Sequence, residues 1–298
     1  LTEGIILLDK PPGTTSFQSL GELKRRLATG RVGHAGTLDK FAEGLLVVLA
    51  GRMTRLCSFA TSLDKEYVAV FTFGRGTDTL DPEGTVTAFG PVPSLHDVTG
   101  VLPHFLGTIS QVPPEYSAVH IGGKRAYQAA RAGESPVLAP RNVVIEKLEL
   151  IDLVGADLTI RVSCSKGTYV RSLARDMAAR LGTCAFVSAL RRTRIGGFRL
   201  ADAVRAEHFD PDRDMLPPAA FFEAAPGLRR LVVKDARVGR LSNGGLLDEE
   251  SFEERPASDG TFGAFSHSGE LLAVVERTNG AWRYAAVFPV ETAGENSR

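Results

Sequence analysis

Cysteine is scarce in this 298-residue chain and tryptophan scarcer, with three of the first and one of the second. The cysteines, Cys57, Cys164 and Cys184, are odd in number and form no CxxC pair. Neither a disulfide framework nor a zinc site is indicated, and a reducing cytoplasm suits the chain best. No run of about twenty apolar residues occurs, so no membrane span is expected. The opening segment lacks a charged stretch followed by an apolar one, so no secretory signal is expected either. The chain opens on Leu1, and a few preceding residues are expected. Net charge is absent too: 35 basic residues balance 35 acidic ones, which argues against a generally sticky nucleic-acid binder. No internal repeat or low-complexity tract stands out.

The charge is nevertheless unevenly spread. Lys166, Arg171, Arg175, Arg180, Arg191, Arg192, Arg194 and Arg199 stand close together against Asp176 alone. Asp248, Glu249, Glu250, Glu253, Glu254 and Asp259 form the opposite bias, a surface that repels phosphate. A charge run is by default a solvated face. Arg191, Arg192 and Arg194, however, lie beside an apolar stretch and a GG pair, which predicts a basic groove for an RNA backbone.

The most informative stretch is RVGHAGTLDKFAEG, residues 31–44. A packed strand favours β-branched and aromatic residues, whereas Gly33, Gly36 and Gly44 allow turns and close approach of a bulky ligand. Asp39 within it either closes a turn through nearby amides or carries chemistry. Asp78 and Asp81, in TDTLDPEG at 77–84, invite a metal-site reading because hard cations prefer clustered carboxylates. DPEG is a turn sequence and no further ligand series follows, so no metal is expected.

Residues 4–8 read as a buried strand ended by two prolines, with a helix expected from Ser16. Further strands are expected at 45–50 and 67–73, with helical spacing through Leu56, Phe59 and Leu63 between them. Residues 143–154 and 158–162 alternate around Gly155, predicting an antiparallel pair. Val170, Leu173, Ala174, Met177, Ala178 and Leu181 mark a helix with one buried stripe. Arg171, in its first turn, can point inward to a carboxylate, while Arg180 belongs to solvent. DPDRD and LPP, at 210–214 and 216–218, mark a linker. Strand-like runs at 231–233, 271–275 and 284–288 then predict a β module of about sixty-five residues.

Several blocks occur in one order: GIILLDKPPGTTS at 4–16, GHAGTLD at 33–39, KEYVAVFTFG at 65–74, PPEYSAVHIGGKRAYQAARAG at 113–133, CSKGTYVRSLARD at 164–176 and ALRRTRIGGF at 189–198. Together they resemble the bacterial tRNA pseudouridine-55 synthase family. Lys40 stands where that family usually has proline, Glu43 where it has threonine or serine, and His120 where it has lysine.

The resemblance implies that Asp39 is the catalytic carboxylate, that Arg171 is its partner, and that Tyr67 stacks on the target base as a candidate for late proton transfer. It also implies that His34 contacts the disrupted RNA loop, that Tyr169 and Leu190 contact the flipped nucleotide, and that Lys10 supports the active-site loop. Read alone, Tyr67 and Leu190 fit a core and His34 a satisfied loop histidine. Breaking the C1′–N1 bond, turning the uracil and rejoining it through C5 requires no redox step, so neither cofactor nor metal is expected. Whether Asp39 attacks the sugar, attacks the base or abstracts a sugar proton stays open, since all three need an ionised carboxylate.

The expected architecture is α+β: a mixed, largely antiparallel sheet with an RNA cleft over 1–225, with 113–133 as an RNA-binding insertion. The resemblance adds a PUA-like RNA-binding domain at 228–292, ahead of a tail at 293–298. The expected partner is tRNA, through its T-loop and stem, for a cytoplasmic monomer needing no membrane or protein partner. Two rivals share these features: a tRNA-folding factor without catalysis, and a hydrolase that releases free uracil.

Overall fold

Period-two alternation and short apolar runs set the strands in chain order. The first seven are β1 Gly4–Lys10, β2 Val32–Ala35, β3 Glu43–Ala50, β4 Lys65–Phe73, β5 Arg75–Thr77, β6 Val86–Phe89 and β7 Gly107–Gln111. There follow β8 His120–Ile121, β9 Lys124–Arg125, β10 Arg141–Val154, β11 Asp157–Cys164, β12 Ala185–Ile195 and β13 Phe198–Arg199. The last four are β14 Leu228–Val232, β15 Gly260–Phe265, β16 Leu271–Thr278 and β17 Ala281–Val287. The computed structural model describes residues 3–117, 120–121, 124–125 and 138–289, with 120–121 and 124–125 described by backbone alone.

Nine strands join one sheet in the order β1-β3-β12-β4-β11-β10-β7, with β2 on β3 and β13 on β12. Only β3 and β12 run parallel; the other pairings are antiparallel, so the sheet is mixed and largely antiparallel. The expected pair around Gly155 is the β10–β11 hairpin, and Gly155 turns it with a φ of 59°. The helix expected from Ser16 begins instead at Leu20 and ends at Arg26. Ser16 is diverted from capping: its Oγ accepts from the amide of Leu38 at 2.9 Å and donates to the carbonyl of Leu38 at 3.1 Å.

One face of the central strands explains where the site lies. In β4, Lys65, Tyr67, Ala69, Phe71 and Phe73 alternate onto that face and are buried. The helix Val170–Arg180 covers its apolar end, setting Leu173, Ala174, Met177 and Ala178 against Ala69, Phe71 and Phe73 in one core. Burying a Phe or Leu side chain contributes about 1.5–3 kcal/mol, so this stripe fixes the helix on the sheet. The face turns polar at Lys65 and Tyr67, where the helix begins and Arg171 projects inward.

A second sheet, β14-β15-β16-β17, pairs parallel between β14 and β15 and antiparallel elsewhere. It packs on the first unit through Phe265, whose ring meets Phe222 edge-on at 5.2 Å, and through the core shared by Ile5, Leu49, Leu271 and Phe288. No helix among the described residues is long and apolar enough to cross a membrane.

Candidate active site

Asp39 lies in the loop at 36–42 that joins β2 to β3, and this loop is held from several directions. Lys10, fully buried at the end of β1, donates through Nζ to the carbonyls of Pro11 at 2.9 Å, Thr14 at 2.7 Å and Lys40 at 3.4 Å. The amide of Gly13 reaches the same Lys40 carbonyl at 2.8 Å. Ser16 pins Leu38, as described above. Gly44 has a φ of +100°, and a Cβ there would lie 2.4 Å from the carbonyl oxygen of Arg192. Only glycine therefore lets β12 run this close to β3.

Arg171 gathers the carboxylates. Its Nε lies 2.9 Å from Oδ2 of Asp39, and its Nη2 donates to Oδ1 at 3.1 Å. Nη1 contacts Oδ2 of Asp81 at 3.2 Å and donates to the carbonyl of Thr79 at 2.8 Å, while Nη2 also reaches the carbonyl of Tyr116. The Arg171 side chain is 4% exposed and that of Asp39 37%. The cation is thus enclosed, and its carboxylate partner opens toward solvent.

Asp81, expected only to close a turn, does more. Asp78 does serve a turn, accepting from the amide of Thr85. Asp81 is buried: its Oδ1 accepts from the Thr79 hydroxyl and the Glu83 amide, leaving Oδ2 for Arg171. Its place in the DPEG turn hid this role, since the partner arginine stands 90 residues away. Among the described residues no group of three or more His, Cys, Asp or Glu side chains could hold a metal ion.

A cavity of about 570 Å³ opens beside the pair, lined by Asp39, Tyr67, Ser117, Tyr169 and Arg171 among others. Lys65, Arg141, Lys166, Arg171 and Arg192 supply five cations to its wall, against the single carboxylate of Asp39. Such a wall suits a polyanion. A smaller chamber of about 100 Å³ adjoins it, sharing Asp39, Tyr67, Tyr169 and Arg171 and adding Leu190.

Burial pushes the Asp39 carboxyl above the usual carboxylate range, and the Arg171 guanidinium pulls against it. Burial likewise raises the Tyr67 phenol, opposed by the charge of Arg192. Lys10 and Lys65 are both lowered to about 8, first by burial, with Arg192 adding to the shift. His34 is lowered by burial and by Arg192.

Asp39, Tyr67, Tyr169, Arg171 and Leu190 thus come together, with Lys10 beneath the loop. Tyr169 precedes the helix and donates its amide to Oε1 of Gln111 at 2.8 Å. Leu190 is both core and chamber wall. His34 stands apart on β2, opposite Val48, with Nδ1 buried and unpartnered among the described residues.

The expected basic groove takes a different form. Arg191 pairs with Glu43 and Arg194 with Asp64, while Arg192 is buried: alternation along β12 sends Arg191 and Arg192 to opposite faces, and a register shift between Arg192 and Arg194 turns Arg194 away from the Arg192 face. The acidic run is partly neutralised as well: Glu249 pairs with Arg255 and Arg277, and Asp259 with Arg277. In the expected insertion at 113–133, residues 118–119, 122–123 and 126–133 lie outside the described residues, as does the tail at 293–298.

The family profile described as TruB family pseudouridylate synthase (N terminal domain) matches residues 24–170. The profile described as tRNA pseudouridylate synthase B C-terminal domain matches residues 171–212. The tRNA pseudouridine synthase B of Borreliella afzelii is 37% identical over 97% of this chain and 100% of its own length. That of Thermobifida fusca is 36% identical over 97% and 99%. A solved Cbf5-Nop10-Gar1 complex contains a similar chain, with a TM-score of 0.72 and 26% identity, covering 97% of this chain and 84% of that one.

Proposed function

Because this chain belongs to the TruB family of pseudouridylate synthases, which form pseudouridine in tRNA, we propose that it acts on one T-loop uridine, position 55, with Asp39 as the catalytic carboxylate. The observation that carries the assignment is the enclosed Arg171 holding a carboxylate at the edge of a cation-lined cavity.

The target base is stacked and paired in folded tRNA, so it must leave the stack at a cost of a few kcal/mol. Shape and backbone contacts guide docking more than base reading, and Arg141 and Lys166 at the cavity wall suit phosphates near the extruded nucleotide. Tyr67 and Tyr169 offer aromatic surface beside Asp39, and Leu190 closes the smaller chamber against the base. Arg171 favours the ionised carboxylate that every version of the chemistry needs, whether Asp39 bonds to the sugar, bonds to the base or takes a sugar proton. Once the C1′–N1 bond has broken, Tyr67, Tyr169 and Leu190 line the space in which the uracil turns. Rejoining at C5 and loss of the C5 proton complete the isomerisation, and Tyr67 is the candidate to give its phenol proton to the detached uracil ring and, as the phenolate, to take the C5 proton in return.

Carbodiimide labelling followed by primer extension on tRNA treated with the wild-type protein tests the position. A single new stop at position 55 is expected. Stops elsewhere in the T-loop, or spread over several loops, would overturn the assignment.

A further inference from the structure

Arg192 is the bulkiest fully buried side chain among the described residues, and it carries a charge. Its neighbours along β12 spend theirs on carboxylates, Arg191 on Glu43 and Arg194 on Asp64; Arg192 forms no ion pair among the described residues. Burying a cation without an opposite charge is costly unless its donors are well used. Here they are used on backbone: Nε donates to the carbonyl of Leu45 at 2.7 Å and Nη2 to the carbonyl of Gly36 at 3.0 Å.

We propose that Arg192 is a positioning residue that latches the catalytic loop by gripping the carbonyls of Gly36 and Leu45, which bracket Asp39; this role rests on the pseudouridine synthase reading above. A guanidinium presents its donors in a rigid fork, so two bonds fix the distance between two acceptors. Gly36 lies just past the end of β2 and Leu45 just inside β3, so the fork sets the span that the loop must bridge. Arg171 holds Asp39 by its carboxylate and Arg192 holds the loop by its ends.

The latch is itself anchored. Arg192 faces Tyr67 across the β4–β12 ladder and Gly44 across the β3–β12 pair. The missing side chain at Gly44 brings the two backbones close enough for the fork to reach both carbonyls. Arg192 also lines the larger chamber with Tyr67 and Asp39, so the group that spans the loop stands at the wall where the flipped nucleotide would lie.

Arg192→Lys and Arg192→Gln separate fork from charge. Lysine keeps the cation and loses the planar pair of donors, so both variants are expected to lose single-turnover pseudouridine formation by about 10²-fold, the scale of a misplaced catalytic group. Melting temperature should fall by a few degrees as two buried carbonyls lose their donor; tRNA affinity and KM should stay close to wild type, and amide exchange at 37–43 should quicken while that in Val170–Arg180 does not. A folded Arg192→Lys protein with a wild-type rate, or one whose exchange quickens throughout, would overturn the latch. Should neither variant fold, the wild-type protein decides: the Nε–H resonance of Arg192 is expected to exchange slowly with solvent, and rapid exchange would overturn the proposal. Wild-type protein that forms no pseudouridine would count against the functional reading instead, while the exchange measurements still decide the latch.

Discussion

Arg171 meets Asp39 along an edge, with Nε 2.9 Å from Oδ2 and Nη2 3.1 Å from Oδ1, while its third nitrogen is committed to Asp81 at 3.2 Å. One enclosed cation therefore lies between a carboxylate open to the cavity and one turned away from it. The outer carboxylate is placed for chemistry, and the inner one restrains the guanidinium.

Replacing Arg171 with Met should leave both Asp39, at the edge of the cavity, and the buried Asp81 unpaired. Breaking a buried pair in this way costs about 3–5 kcal/mol, which corresponds to roughly 10²–10⁴ in rate if it falls on the transition state. Arg171→Met is expected to fold and bind tRNA while turning over almost none; near-normal turnover, measured beside a filter-binding assay, would remove the pairing from the mechanism.

Asp81→Asn keeps the shape of the inner partner and removes its charge. A hydrogen bond to a charged group contributes about 1.5–3 kcal/mol, so kcat should fall by roughly 10- to 100-fold. Affinity for tRNA should hardly change, because Asp81 is buried away from the cavity. An unaltered kcat would reduce Asp81 to a turn residue.

Tyr67→Phe distinguishes stacking from proton transfer. The ring and its buried place in β4 survive the change, while the phenol is lost. Normal tRNA affinity with strongly slowed release of the C5 proton is expected. Normal turnover would leave Tyr67 with stacking alone.

The acid limb of kcat/KM should lie above the ordinary aspartate value of 3.8, because the Asp39 carboxyl is raised and works only when ionised. The rate then falls as pH drops through that raised value. Removing Arg171 takes away the main opposing charge, so any residual activity of Arg171→Met should have its limb at still higher pH. A wild-type limb at or below the ordinary value would contradict the burial argument.

Much of this architecture was legible in the residues. Alternation in residues 143–162 predicted the β10–β11 hairpin, and the apolar stripe from Val170 predicted the helix that aims Arg171 inward. The glycines around Asp39 marked an open loop, and Gly36 and Gly44 do take positive φ there. Asp81 was not legible, because its partner is distant in sequence and DPEG is a complete turn signal by itself. Arg192 was counted into a basic groove because charge totals ignore strand alternation: Arg191 and Arg192 differ by one residue and by a full reversal of face. Ser16 misled the helix start for a similar reason, its hydroxyl being taken by Leu38 across the fold.

The most direct test of the account is tritium release from tRNA transcribed with C5-labelled uridine, using wild type and Asp39→Ala, with free uracil assayed alongside. Release that requires Asp39 and leaves no free uracil is the predicted result. No release despite tight tRNA binding would contradict the account in favour of a folding factor, and free uracil would contradict it in favour of a hydrolase.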